Sequence, residues 1–475
     1  MHRWLAFNIE DSGIMEQKKR DDVRKQASNL YHRRPYHHRY RRRLPRHDHN
    51  YNNNKNNNNY NNEEDAFTIV QFADLHFGDN ETQNEKSNGV MQTVLQSEPS
   101  IDLVVFSGDQ ISGWLIDDPI KTMQLLESAL QTVRSAGIEY AVLWGNHDDQ
   151  PYHFDTGVWF TWANRISCLL AVITTFIFFL FNNNNNNKTK EKNYRYSKTI
   201  IISVLLILQA TAAYIMFLTM PSKKTRHVMQ AFESAHELSI SQSAHEQVHG
   251  NSNFYYRMRI LNHSILLLFF DSGGGRLPEQ IYDDQVIWAE EIFANFPGSI
   301  SLAFMHIPLP EYSAAFADVF AVENNNNNNG SSSWRCFGEH GETPSSVNYE
   351  HRSLYECLSE GEGGTKAIFV GHDHANSWCC VPSLSSEHHN HHSHLFTKKP
   401  YQKNMPALCY GRHTGYGGYA AATTTDNEDG APQIKKRGAR VIKISASSQA
   451  PAAGVHITTW LRMEDKTLQD YGVLL

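Results

Sequence analysis

The chain has 475 residues, enough for one large domain with appendages or for two to three domains. Its formal net charge of −7, from 43 basic and 50 acidic residues, leaves no overall basic excess to point to nucleic acid. The six cysteines, Cys168, Cys336, Cys357, Cys379, Cys380 and Cys409, show no CxxC spacing and are too sparse for a disulfide framework, so the redox compartment stays open.

Residues 1–64 read as a disordered tail. Positions 17–47 are strongly basic and include "HRRPYHHRYRRRLPRH", and positions 50–62 are almost pure asparagine. Neither stretch can bury a core. The basic run has the chemistry to meet anionic lipid or nucleic acid, but it reads first as a solvated tail with no specific nucleic-acid partner. The N-terminus has no apolar h-region, so it does not read as a cleaved secretory signal.

Residues 65–475 read as one α/β domain built on a repeated pattern. Six short apolar runs end in Gly, Asp, Asn or His: "FTIVQFADLH" at 67–76, "IDLVVFSGDQ" at 101–110, "IEYAVLWGNHDD" at 138–149, "ILLLFFDSGG" at 265–274, "SISLAFMHIPLP" at 299–310 and "AIFVGHDHAN" at 367–376. Continuous β-rich runs of this length predict strands buried on both faces. Between the second and third runs, Asp118 and Pro119 suit a helix start. Ile120, Met123, Leu126, Leu130 and Val133 form its apolar stripe, and Gly137 suits its end.

The domain is interrupted at 155–220. There "ISCLLAVITTFIFFLF" (166–181) and "TIIISVLLILQATAAYIMFLTM" (199–220) flank an Asn- and Lys-rich linker. Neither segment carries a charge, and 22 residues as a helix reach about 33 Å, enough for a bilayer. Two crossings would return both flanks to one side, which fits a transmembrane hairpin and a membrane-associated chain. A buried apolar hairpin within the fold, in an otherwise cytoplasmic chain, and a segment absent from the mature chain are the other two readings. The asparagine tract at 324–329 and the histidine-rich stretch at 387–394 read as low-complexity insertions in surface loops.

The strand ends carry the chemistry. They present Asp74 and His76, Asp109, Asn146 and His147, His306, and His372 and His374. In α/β sheets ligands bind beyond the carboxyl ends of the strands. Carboxylate, amide oxygen and imidazole together suit Zn, Mn or Fe, and the count suits two ions. Two such ions lower the pKa of a water and clamp a phosphoryl group. A neighbouring histidine can stabilise charge or protonate the leaving oxygen. In an extended segment, His372 and His374 point the same way and can address two neighbouring ions.

The ordered set D-x-H, GD, GNHD, H and GHDH resembles the calcineurin-like metallophosphoesterase superfamily. Finer stretches, "DSGGG", "DQVIWAEEIF", "FMHIPLPEY", "GHDHANSWCC", "LCYGRHTGYGGY", "GARVIKI" and "TTWLRMED", are similar to small, single-domain purple acid phosphatase relatives of plants and fungi. The resemblance implies a metallophosphoesterase fold, a two-sheet β-sandwich flanked by helices, here with a hydrophobic hairpin insertion. It implies two divalent or mixed-valence metal ions (Fe, Zn or Mn). Asp74, His76 and His374 would hold the first, Asn146, His306 and His372 the second, with Asp109 bridging. His147 would be the catalytic histidine, with Asp148 orienting it, and Arg412 and His413 would touch substrate. The implied activity is hydrolysis of a phosphorylated small molecule or phosphoprotein. The alternatives are a phosphodiesterase on the same centre and an inactive membrane-anchored scaffold. Ser112 stands three residues after Asp109, where a true purple acid phosphatase carries a tyrosine ligand, which puts a ferric–tyrosinate centre in doubt.

Overall fold

The structure, a computed structural model, describes residues 64–113, 119–150, 208, 210–211, 224–244, 247–320, 332–361, 363–383, 405–419, 422–426, 432–434, 436–447 and 454–475. The tail at 1–63, the tracts at 324–329 and 387–394, and all of 155–220 except 208, 210 and 211 lie outside the described residues. The membrane hairpin expected at 166–181 and 199–220 therefore falls outside them. Among the described residues no helix is long and apolar enough to cross a membrane.

In chain order the strands begin with β1 (Glu64–Phe72), β2 (Leu103–Ser107), β3 (Tyr140–Leu143), β4 (Phe254–Ile260), β5 (His263–Phe269) and β6 (Gln280–Ile281). They continue with β7 (Ile300–Phe304), β8 (Trp334–Phe337), β9 (Asn348–Tyr349), β10 (Thr365–Val370), β11 (Cys379–Pro382) and β12 (Ala407–Tyr410). They end with β13 (Ala422–Asp426), β14 (Pro432–Ile434), β15 (Gly438–Ser447), β16 (Val455–Met463) and β17 (Leu468–Val473). The described helices are α1 (Glu81–Ser97), α2 (Pro119–Ser135), α3 (Lys224–Ala235), α4 (Asp283–Asn295), α5 (Pro310–Val319) and α6 (Leu354–Glu360).

Two sheets dominate. One runs β17-β16-β15-β1-β2-β3 and the other β4-β5-β7-β10-β12-β11-β8. The six apolar runs become β1, β2, β3, β5, β7 and β10. Within the first sheet β1, β2 and β3 are parallel; within the second β5, β7, β10 and β12 are parallel.

Alternation along these strands sorts side chains into three cores. Ile69, Val105, Leu267, Phe304 and Phe369 meet between the sheets. Val70, Phe72, Val104 and Phe106 turn outward with Leu126, Leu130 and Val133 of α2. Leu266, Leu268, Ala303 and Ile368 turn the other way onto Val286 and Ile292 of α4 and Tyr312 of α5. The result is a sandwich of two mixed sheets flanked by helices, and both faces of each central strand are covered, as continuous apolar runs require.

Helix α3 reverses the usual pattern. Its buried face carries Arg226, Met229, Gln230 and Glu233, while Val228 and Phe232 are exposed. Each of these buried polar side chains makes hydrogen bonds. Trp144 donates its indole N–H to Gln230 Oε1 at 2.6 Å, and Arg134 donates to both Glu233 carboxylate oxygens at 2.8 and 2.9 Å. Burying such groups is tolerated because each has a partner.

The cysteines, read as too sparse for a disulfide framework, form two disulfides among the described residues. Cys336 pairs with Cys380 and Cys379 with Cys409, while Cys357 is free and buried. The pairs are cross-strand neighbours: β11 lies between β8 and β12, with Cys380 opposite Cys336 and Cys379 opposite Cys409. Separations of 44 and 30 residues hid both in the sequence. Replacing Cys379 and Cys409 together by serine is expected to cost about 2–4 kcal/mol of stability. Thermal unfolding with and without a thiol reductant checks this: a melting temperature that reductant leaves unmoved in the unsubstituted protein would contradict it.

Candidate metal centre

The backbone brings the polar strand ends together before any side chain acts. Pairing of β1 and β2 continues past the strands: Asp74 N donates to Gly108 O at 3.1 Å, and His76 N to Asp109 O at 3.0 Å. In the second sheet Gly371 N donates to His306 O at 3.0 Å. The sheets are joined across the site by His372 N, which donates to Asp74 Oδ1 at 3.0 Å. Gly108 must be glycine. At its φ of +106° a Cβ would lie 2.2 Å from His306 Nδ1, inside the imidazole.

Asp74, His76, Asp109 and His372 all have left-handed φ values, of 58°, 50°, 55° and 76°. For residues with a Cβ this conformation costs about 1–2 kcal/mol each. Strain of this kind persists where surrounding structure imposes it, and it concentrates at functional sites.

The ligand-type atoms converge in two groups. Asp74, His76 and His374 form one, and Asp109, His306 and His372 the other; within each, the donor atoms lie within 4.8 Å of one another. His76 Nε2 and His374 Nε2 are 3.1 Å apart. His306 Nε2 lies 3.1 Å from Asp109 Oδ2 and 3.0 Å from Asn146 Oδ1, and His372 Nδ1 lies 3.0 Å from the same amide oxygen. Asp109 Oδ2 also faces His76 Nε2 at 3.6 Å, so this carboxylate addresses both groups.

The outer ring nitrogens are committed. His374 Nδ1 lies 2.8 Å from the Tyr419 carbonyl and His306 Nδ1 2.9 Å from the Ser107 carbonyl. A carbonyl only accepts, so each Nδ1 carries a proton, and Nε2 is the ring atom turned to the site. Ser112, which occupies the place of the purple acid phosphatase tyrosine, puts its Oγ 3.3 Å from His76 Nδ1. It touches a ring in the site from outside.

The electrostatics separate His306 from the other rings. Burial lowers His76 and His372 to about 3, and holds His374 well below the usual histidine range. These rings are bare at neutral pH, the form that binds metal. Burial opposes the charge on His306, but the Asp109 carboxylate outweighs it and holds the ring up at about 9. Burial likewise opposes charge on Asp109, yet His306 and His147 keep it well below the usual carboxylate range. Asp74 is pushed up to about 7, mainly by burial, with Asp109 adding to it. Buried acceptor atoms converging on shared points, with their other sides hydrogen-bonded, are suited to cations.

The remaining expected residues divide. His147 is 31% exposed at its side chain, and its Nε2 lies 4.0 Å from Asp109 Oδ2. Asp148 does not orient the His147 ring, as had been expected. It accepts backbone N–H groups of Asp109 at 2.9 Å, Gly145 at 2.7 Å and Ile111 at 3.1 Å, and so fastens the GNHD loop to the GD loop. Arg412, expected at the substrate, is turned away. It pairs with Glu339 at 2.8 Å and donates to the Lys436 carbonyl at 2.9 and 2.6 Å. His413 lies beside His374, with ring centroids 3.8 Å apart.

Two residues were missed in the sequence. Tyr419 stacks on His374 at 3.9 Å, and its hydroxyl accepts from His374 N at 2.8 Å. Arg226, fully buried, donates to Asp149 at 2.8 Å, Asp271 at 2.7 Å and the carbonyls of Gly145, Gly273 and Gly274. It ties the GNHDD loop to the DSGGG loop. "GYGGY" and a lone arginine after an insertion carry no signal of such roles.

The chain is similar to Phosphatase DCR2 of Saccharomyces cerevisiae, 24% identical over 67% of this chain, of which it spans 45%. It is also similar to Probable inactive purple acid phosphatase 29 of Arabidopsis thaliana, 22% identical over 85% of this chain and 83% of that protein. Among solved structures, purple acid phosphatase PPD1 from yellow lupin seeds covers 87% of this chain and 54% of its own, with 13% identity and a TM-score of 0.37. Residues 67–210, which hold the D-x-H, GD and GNHD segments, match the model for calcineurin-like phosphoesterases.

Proposed function

We propose that this chain is a binuclear metal-dependent phosphoesterase acting on phosphomonoesters. The observation that carries the reading is the pair of converging donor groups, joined by one carboxylate that faces both. Asp74, His76 and His374 would hold one ion, and Asn146, His306 and His372 the other, with Asp109 between them. When bound, two such ions supply a water acidic enough to attack phosphorus and neutralise the phosphoryl oxygens.

The chain's own residues do the rest. His147 is a partly exposed imidazole at the site, with its backbone N–H held by Asp109 Oδ1 at 2.8 Å. In this reading it holds a proton for the leaving alkoxide. Asp148 keeps its loop in register, and Tyr419 fixes the tautomer and plane of His374. The scaffold reading draws on the name of the plant relative, but every expected donor is present here.

The test is hydrolysis of p-nitrophenyl phosphate and of bis(p-nitrophenyl) phosphate by the full chain and by a form lacking 155–220, with metal content measured alongside. About two ions per chain and faster cleavage of the monoester are expected in both forms. Faster diester cleavage would replace monoesterase by diesterase. A metal-loaded protein that cleaves neither ester would sink the reading.

A further inference from the structure

The segment after β12 wraps the first donor group. Thr414 N donates to Ala73 O at 3.0 Å and Gly415 N to Asp74 O at 3.2 Å, so His413 runs beside the D-x-H segment. Its side chain is 1% exposed, and its ring centroid lies 3.8 Å from that of His374 and 6.4 Å from that of His76. Position alone would make His413 a third imidazole ligand in this group.

Arg437 argues against that. Its Nη1 lies 2.6 Å from His413 Nδ1. A guanidinium has five donors and no acceptor, so Nδ1 must accept, and the neutral ring carries its proton on Nε2. A ring in that tautomer has no lone pair at Nε2 for a metal. Arg437 is itself fixed. It is buried, its backbone N–H donates to Glu464 at 2.9 Å, and its guanidinium lies 5.4 Å from the centre of the Tyr416 ring. Meanwhile His413 Nε2 is buried without a hydrogen-bond partner. Buried donors are rarely left in this condition, because an unpaired one loses its hydration with no return.

We propose that Arg437 holds His413 as a fixed Nε2–H donor that hydrogen-bonds an oxygen of the phosphoryl group at the Asp74–His76–His374 side of the site. His413 is then a substrate-binding residue, Arg437 is the residue that positions it, and neither ligates metal. This rests on the phosphoesterase reading above.

The experiment uses the full, metal-loaded chain and three variants: His413→Phe, His413→Gln and Arg437→Met. Inhibition by inorganic phosphate, metal content, and the imidazole nitrogen–proton correlations of the metal-free protein are measured. His413→Phe should keep both ions and raise the inhibition constant for phosphate about tenfold or more. His413→Gln, which restores an N–H, should recover much of that. The correlations should place the His413 proton on Nε2, and Arg437→Met should redistribute it. Loss of about one ion in His413→Phe would make His413 a ligand and overturn the proposal. An unchanged phosphate constant in an active His413→Phe enzyme, or a proton on Nδ1, would overturn it as well. An unsubstituted protein that neither cleaves esters nor binds phosphate would instead overturn the phosphoesterase reading, and this proposal with it.

Discussion

Asp109→Asn is expected to lower hydrolysis by about 10^3-fold or more, roughly 4 kcal/mol in the barrier, and to release at least one ion. The size follows from position. Asp109 Oδ2 lies 3.1 Å from His306, 3.6 Å from His76 and 4.0 Å from His147, so no other carboxylate among the described residues is placed to serve both groups. Asparagine keeps the oxygen that accepts the His147 backbone N–H at 2.8 Å, so the loop should stay in place. It removes the charge that opposes two cations. Steady-state rates with metal analysis, set beside a thermal melt, separate the effects. A variant that melts normally, keeps both ions and turns over within tenfold of the unsubstituted protein would refute the bridging role.

Arg226→Met should be the most destabilising single change. The guanidinium is buried together with Asp149 and Asp271, and removing it leaves two buried carboxylates without a counter-charge. Breaking a buried pair in this way costs about 3–5 kcal/mol, a large share of the 5–15 kcal/mol typical of a domain. The melting temperature should fall by about 10 °C, at about 2–4 °C per kcal/mol for a chain of this size. Adding Asp149→Asn and Asp271→Asn should recover part of the loss, because the orphaned charges go with the arginine. If Arg226→Met melts with the unsubstituted protein, the network does not hold these loops. Arg226 also lies just beyond the 155–220 segment. The chain on the far side of that insertion is thus fastened to the GNHDD loop that precedes it.

Much of this was legible from short runs of residues, for an identifiable reason. β1, β2, β3, β5, β7 and β10 are covered on both faces, so their sequences are continuously apolar and stand out, and their polar ends mark the site. α2 was legible because its buried stripe is apolar. α3 was not, because Arg226, Gln230 and Glu233 face inward while Val228 and Phe232 face out; periodicity assumes the opposite. The roles of Asp148 and Arg412 were misread because a charged residue beside a site looks functional until its partners are known. Here these are backbone amides for Asp148, and Glu339 and a carbonyl for Arg412. The left-handed backbone at Asp74, His76, Asp109 and His372 depends on how two sheets meet, which no local pattern records.

The paired cysteines of β11 have a further consequence for threading. Cys379 and Cys380 are neighbours, so in an extended strand they face opposite ways, one into the space between the sheets and the other toward the helices. A slip of β11 by one position would exchange those faces and turn each sulfur from its partner. Closed disulfides to Cys409 and Cys336 therefore store the alignment of this strand as covalent memory. His372 and His374 lie in the connection that ends at Cys379, so its length is set where the strand is latched. A one-residue error there would otherwise shorten or lengthen the reach of two imidazoles.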